Sequence, residues 1–337
     1  MRAALLGASG YAGSELLRLM VTHPELELVL ASADSAVGVP IGSHVPSLAA
    51  AYPVRVYDEH ERVFSTDAEI VFCALPHGVS QRFVARLRRD GRLVVDLGAD
   101  FRLRDPALYS AWYHQEHTSA SLLSEAVYGL VERHRVELRG AQLLAIPGCY
   151  PTASALALGP FADAGWLHPT GSVVNALSGT SGAGRASSDR LHFSRLHANA
   201  EAYGLLTHRH TVEIEQEIGL QVIFTPHLVP VSRGMIVTAY GAMRAPRSTK
   251  EAMALLHERY DTEPFVVVVD EPPSMKDPLG SNLCFVSARV DERTGWLVAM
   301  SAIDNLTKGA AGQAIQALNV AVGWPEAWGL SNAGVSP

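Results

Sequence analysis

The feature that most constrains this chain is a glycine turn near its start. Residues 3–6 form a short apolar run that reads as a β-strand. It leads directly into Gly7-Ala8-Ser9-Gly10-Tyr11-Ala12-Gly13. From Gly13 onward, Leu16, Leu17, Met20 and Val21 fall on one face of a helix. A strand, a GxxGxxG turn and a helix in that order form the phosphate-holding corner of a dinucleotide site. Glycines let the backbone turn sharply and approach a pyrophosphate, and the helix start presents unpaired N–H groups and a positive dipole end. On this reading Gly7, Ser9, Gly10, Tyr11 and Gly13 hold a dinucleotide. The plainer alternative is a tight turn that needs glycine and binds nothing.

The rest of the first half repeats the alternation. His23-Pro24 closes the first helix, and residues 26–31 read as a second strand. Residues 70–75 form a continuous apolar run stopped by Pro76, as in a parallel strand buried on both faces. A helix is expected over 79–88 and strands over 93–97 and 143–146. The pattern predicts an α/β fold with a Rossmann-type, doubly wound parallel sheet. The second strand ends in Ala31-Ser32-Ala33-Asp34-Ser35. Ser32 and Ser35 can donate to a ribose 2′-phosphate, whereas Asp34 can hold a free 2′-hydroxyl. No Arg or Lys stands in that segment, so the residues leave NADP and NAD both open. Ala74-Leu75-Pro76-His77-Gly78 closes another strand on the same edge, and Pro76 is expected along the cofactor.

The second half reads differently. Longer β-branched runs lie at 172–177, 221–225, 235–243, 265–269, 282–290 and 296–303. Residues 291–295 suit a hairpin turn, and helical patterns stand at 211–218, 249–260 and 309–322. This predicts an α+β domain with a mixed or antiparallel sheet. A length of 337 residues accommodates two such domains.

Composition narrows the class. The net charge of −7 lacks the clustered basic face of a nucleic-acid binder. There is no run of 18 apolar residues, so no membrane span is expected. The apolar start is too short for a secretory signal, and the three cysteines show no CxxC pairing. The chain therefore reads as cytoplasmic, with no metal site.

Cys149 is the candidate nucleophile. It lies in Ile146-Pro147-Gly148-Cys149-Tyr150-Pro151-Thr152, ahead of a helical stretch with Pro151 in its first turn. At a helix N-terminus the dipole favours thiolate over thiol. Cys73 and Cys284 sit inside strands and read as structural. The proton shuttle is sought in Thr207-His208-Arg209-His210-Thr211, where an extended backbone would send His208 and His210 to one side. Ser178-Gly179-Thr180-Ser181-Gly182-Ala183-Gly184-Arg185 is rich enough in glycine and hydroxyls to form an anion nest.

Taken together and in order, GASGYAG, ALPHG, DLGADFRL, IPGCYPT, SGTSGAGR, HRHTVEIEQ and AIDNLTKGAAGQAIQALN resemble the N-acetyl-γ-glutamyl-phosphate reductases of arginine biosynthesis. That family is similar in fold to the aspartate-semialdehyde and glyceraldehyde-3-phosphate dehydrogenases. The resemblance implies that NADPH reduces an acyl phosphate to a semialdehyde through a thioester on Cys149. His210 would be the acid-base residue, with His208 as the alternative. It also implies cofactor contacts from Ser178, Gly179, Gly182 and Asn305, and anion contacts from Arg102, Arg185, Arg209 or Arg233. A homodimer or homotetramer is expected by analogy. The implied domains are residues 1–148 with the C-terminal helix from about 308–337, and a catalytic and oligomerisation domain over 149–307. Two other readings stand beside this one. One is the lysine-pathway aminoadipyl-phosphate reductase, whose substrate is one methylene longer. The other is a nicotinamide-binding sensor without catalysis.

Overall fold

The computed structural model describes residues 1–335. It divides into two compact units, 1–147 with 310–330, and 148–309 with the tail from Ser331. The tail belongs to the second unit rather than the first, where the sequence reading put it. Asn282 N–H donates to the Ser331 carbonyl at 2.9 Å, and Val335 N–H to that of Leu279 at 2.7 Å.

In chain order the first unit contains β1 (Arg2–Leu6), α1 (Tyr11–Thr22), β2 (Glu27–Ala31), α2 (Ile41–His44), β3 (Ile70–Cys73) and α3 (Ser80–Arg89). It continues with β4 (Leu93–Asp96), α4 (Pro106–Tyr113), β5 (Val127–Tyr128), α5 (Val131–Leu138) and β6 (Leu143–Ala145). The second unit holds α6 (Cys149–Asp163), β7 (Leu167–Ser178), α7 (Phe193–Leu196), β8 (Glu201–Ala202), α8 (His210–Ile218) and β9 (Val222–Leu228). β10 (Met235–Met243), α9 (Thr249–Tyr260), β11 (Val266–Val268), β12 (Cys284–Asp291) and β13 (Trp296–Ile303) complete it. A π-helical turn, Thr307–Ala311, then leads into α10 (Gly312–Val322), which returns to the first unit.

The first unit is a six-stranded sheet in the order β2-β1-β3-β4-β6-β5, every pair parallel. Side chains alternate across it. Ala3 and Leu5 join Leu16, Leu17, Ile315 and Leu318 in the core on one face, while Ala4 and Leu6 join Phe83, Val84 and Leu87 on the other. Burial on both faces is why β3 reads as an unbroken apolar run. Strand order reverses between β1 and β3. In an open α/β sheet the crevice at the carboxyl ends of such strands is where ligands bind.

The second unit is a seven-stranded mixed sheet, β11-β12-β13-β10-β7-β9-β8. α6 packs on β10, β12 and β13. This helix is buried on nearly all sides from Tyr150 to Phe161, so its sequence shows almost no amphipathic stripe. The β12–β13 turn forms as read, with Gly295 at φ +72° and its N–H bonded to the Asp291 carbonyl. β7 and β9 run further than their β-branched cores suggested. β9 passes straight through Pro226, whose carbonyl accepts the Tyr203 N–H.

Candidate active site

Cys149 is the first residue of α6, with extended Gly148 as its N-cap. No side chain caps this helix start. The thiol is half-buried, whereas Cys73 and Cys284 are fully enclosed. Two neighbours shape its surroundings. Gly148 N–H donates to the buried Glu213 Oε1 at 2.8 Å, which ties the start of α8 to the start of α6. Gly309 closes over the cysteine: a Cβ there would lie 2.7 Å from Cys149 Cβ, so only glycine fits.

Tyr150 organises the histidines. Its ring centre is 5.6 Å from His208, 5.8 Å from His210 and 5.1 Å from Phe224. Its hydroxyl shares a 2.9 Å hydrogen bond with the Tyr203 hydroxyl. Burial above all holds both phenols protonated and pushes Tyr203 up to about 12, against the hydrogen bond from Tyr150, which lowers it. The 208–210 segment is not extended as expected. It turns into α8, and His210 N–H donates to His208 Nδ1 at 3.2 Å. The rings still meet, at 4.9 Å. Burial, with Arg209 adding to it, drops the His208 pKa to about 4, so this imidazole is neutral near pH 7. With Nδ1 accepting, its proton sits on Nε2.

The glycine-rich loop after β7 does not form an anion nest. Its amides are spent within the protein: Gly179 N–H on Gly234, Thr180 N–H on Val231 and Ser181 N–H on Ser232 carbonyls. Those of Gly182 and Gly184 close the one-turn helix Thr180–Ala183. Ser178 turns its hydroxyl to the Gly179 carbonyl. Asn305 is a clasp between loops, accepting Gly234 N–H at 2.8 Å and donating to Ser181 Oγ at 2.9 Å. Arg233 is drawn onto buried Asp304 at 3.0 Å and donates to Thr307 Oγ1. Arg185 is exposed and Arg209 half-buried.

In the first unit the glycine turn follows β1 directly. Gly7 has φ +77°, and a Cβ there would meet Ala74 O at 2.3 Å; one on Gly13 would meet Gly7 O at 2.3 Å. Both are required by packing. Gly10 is different: its φ is −73° and a Cβ would touch only Gly7 O, at 3.5 Å. Nothing within the unit demands glycine there. Ser9 is half-buried and Tyr11 exposed beside it. Buried Ser32 bonds His60 Nδ1 at 2.7 Å, while Asp34 and Ser35 are exposed. Pro76 is exposed after β3, and the turn behind it is held by Asp100, which takes Gly78 N–H, Ser80 Oγ and Tyr109 Oη. Neighbouring Asp96 is raised to about 7 by burial and by Asp100. Arg102 spends Nε on the Ile146 carbonyl and one Nη on that of Leu97, which makes it a brace between β4 and β6.

The roles the structure gives Glu213, Gly309, His60 and Asp100 were not legible in the sequence. Glu213 looked like an ordinary acidic first turn, and His60 reaches Ser32 from 28 residues away. Asp100, Glu213 and Gly309 each stood inside a quoted motif, DLGADFRL, HRHTVEIEQ and AIDNLTKGAAG, whereas His60 carried no local signal.

Two family descriptions match the chain: "Semialdehyde dehydrogenase, NAD binding domain" over residues 2–141, and "Semialdehyde dehydrogenase, dimerisation domain" over 149–305. The N-acetyl-gamma-glutamyl-phosphate reductase of Symbiobacterium thermophilum is 45% identical, across 99% of this chain and 98% of that protein. The protein of the same name from Heliobacterium modesticaldum is 40% identical over the whole of both. Aspartate semialdehyde dehydrogenase II from Vibrio cholerae shares the fold with a TM-score of 0.68 at 18% identity, covering 95% of this chain and 97% of that one. The Candida albicans aspartate semialdehyde dehydrogenase, solved with NADP, has a TM-score of 0.70 at 16% identity, covering 95% and 97%.

Proposed function

This chain belongs to the N-acetyl-γ-glutamyl-phosphate reductase family of semialdehyde dehydrogenases, and we propose that it reduces N-acetyl-γ-glutamyl phosphate to N-acetylglutamate 5-semialdehyde, releasing phosphate, in arginine biosynthesis. The observation that carries the reading is Cys149, a half-buried thiol at an uncapped helix start beside a tyrosine that touches two histidines.

The chemistry follows from those residues. His210 takes the Cys149 proton, and the N-terminus of α6 favours the thiolate that results. The thiolate attacks the acyl carbon, the carbon–oxygen bond to phosphate breaks, and a thioester remains on Cys149. A reduced nicotinamide, when bound, supplies the hydride that this thioester needs. The carbon–sulfur bond then breaks, the aldehyde leaves, and Cys149 recovers its proton from His210. His208 stays neutral throughout and orients His210 through its backbone. Glu213 and Gly309 fix where the sulfur stands.

The glycine turn fits a dinucleotide. Gly7, Ser9, Gly10, Tyr11 and Gly13 would hold the pyrophosphate, and Pro76 would border the same crevice. NADP is the preferred form, with exposed Ser35 as donor to its 2′-phosphate; the Ser32 expected beside it is fully buried and spends its hydroxyl on His60. If NADH serves better than NADPH, exposed Asp34 sets the preference instead.

The test is the reverse reaction, phosphate-dependent reduction of NADP⁺ by N-acetylglutamate semialdehyde. Activity should require phosphate, disappear after iodoacetamide treatment and be absent in Cys149→Ser. Activity only with the aminoadipate homologue would move the chain to the longer substrate. Near-normal turnover by Cys149→Ser would refute the thioester route.

A further inference from the structure

Arg190 has no part in the chemistry above, yet it is built into the same aromatic cluster. It lies in the one-turn helix Asp189–Leu191, and its guanidinium carbon sits 4.6 Å from the centre of the Tyr203 ring. Tyr203 bonds Tyr150, and Tyr150 follows Cys149 in the chain. The cation is therefore mounted on the tyrosine pair that borders the nucleophile.

Its hydrogen-bonding state is unusual. The Nε and one Nη are buried, and neither has a hydrogen-bond partner among the described residues. The facing carboxylate, Glu201 Oε1, is 3.9 Å from Arg190 Nη2, beyond hydrogen-bond reach. The same oxygen lies 3.8 Å from Arg195. Two guanidiniums thus share one carboxylate oxygen. Buried donors on a cation that lack acceptors are costly to keep. A planar guanidinium with free donors matches an oxyanion, which can take two N–H groups side by side.

We propose that Arg190 is a specificity-determining residue that binds an oxyanion of the substrate. The inference rests on the reading that Cys149 attacks an acyl phosphate. Such a substrate carries two oxyanions, the phosphate that leaves and the carboxylate at the far end of the glutamyl chain. The chemistry Arg190 offers is the same for either.

The test reads anion binding without turnover. Cys149 alkylation by iodoacetamide is followed by peptide mass in the wild-type chain, Arg190→Gln and Arg190→Lys, with inorganic phosphate or N-acetylglutamate as protectant. Cys73 and Cys284, both fully enclosed, serve as internal controls. Unprotected alkylation rates and melting temperatures should be near wild type in both variants. In Arg190→Gln one protectant should lose at least tenfold in affinity, and Arg190→Lys should recover part of it. Selective loss with phosphate assigns Arg190 to the leaving group; selective loss with N-acetylglutamate assigns it to the carboxylate. Protection constants within twofold of wild type overturn the proposal. So does a wild-type chain that neither anion protects, or a variant that loses both protections together with its melting transition. A chain inactive on the acyl phosphate, but still protected through Arg190, would sink the proposed reaction and leave the anion site standing.

Discussion

His208 and His210 are two residues apart and cannot do the same job. Burial keeps the His208 imidazole neutral until about pH 4, so it has no proton to give near neutrality. On the proposed mechanism His210 is then the group that exchanges protons with Cys149. His210→Asn should lower kcat by a factor on the order of 10²–10⁴. His208→Asn should cost less and leave the pH profile of kcat unmoved. The same shift has a stability consequence with a definite sign. The unfolded chain binds a proton at His208 near pH 6.5, which the folded chain refuses until about pH 4. That contribution is whole above pH 6.5 and is lost as pH falls towards 4. A melting series from pH 7 to 4 should fall more steeply for wild type than for His208→Asn; parallel curves would contradict the assignment. At this scale the sequence was informative about Cys149, because PGCYP places it at a helix start by local rules. It was uninformative about the ranking of the histidines, because their difference is one of burial. Nothing in HRH says which ring will be enclosed by Tyr150, Tyr203 and Phe224.

Turns and loops show how far a local pattern reaches. The glycine turn after β1 and the glycine loop after β7 look alike in composition, yet they fold differently. The N–H groups of the second loop are spent on partners far along the chain. Gly179, Thr180 and Ser181 meet the carbonyls of residues 231–234, a pairing no motif announces. Within the first turn the three glycines should behave differently. Gly13→Ala forces a Cβ to 2.3 Å from Gly7 O and should destabilise the fold, by about 1–3 kcal/mol or more. Gly10→Ala meets nothing closer than 3.5 Å and should fold and melt as wild type. It should nonetheless bind dinucleotide at least tenfold more weakly, read by calorimetric titration with NADP⁺. Unchanged binding by Gly10→Ala would mean that the turn serves packing alone.

Across the whole molecule, the strand-helix alternation of the first unit and the β-rich second unit were both readable, because burial on two faces and burial on one leave different hydrophobic periods. β5, β8 and the return of the tail to the second unit were not, since two-residue strands and terminal docking have no period at all. The sheet of the second unit also holds a face whose purpose the isolated chain leaves unexplained. Met235, Val237 and Ala239 of β10 point into the core, where α6 packs. Ile236, Thr238 and Tyr240 point the other way and stay half-exposed. Their cross-strand partners extend the patch: Leu177, Asn175 and Val173 on β7, with Met300 and Val298 on β13. An apolar, half-exposed patch on the central strands of a sheet is the kind of surface that marks a protein interface. The family description for this region names dimerisation. The expectation is a dimer or tetramer that buries this face against a second copy. A symmetric pairing would bring β10 near the twofold axis, so a single charge there is felt twice. Ile236→Asp or Tyr240→Asp should therefore shift the mass measured by light scattering to that of one chain of 36.1 kDa, with far-ultraviolet dichroism unchanged. If both variants keep the wild-type mass, the contact lies on another surface, and the exposed face of β10 needs a different occupant.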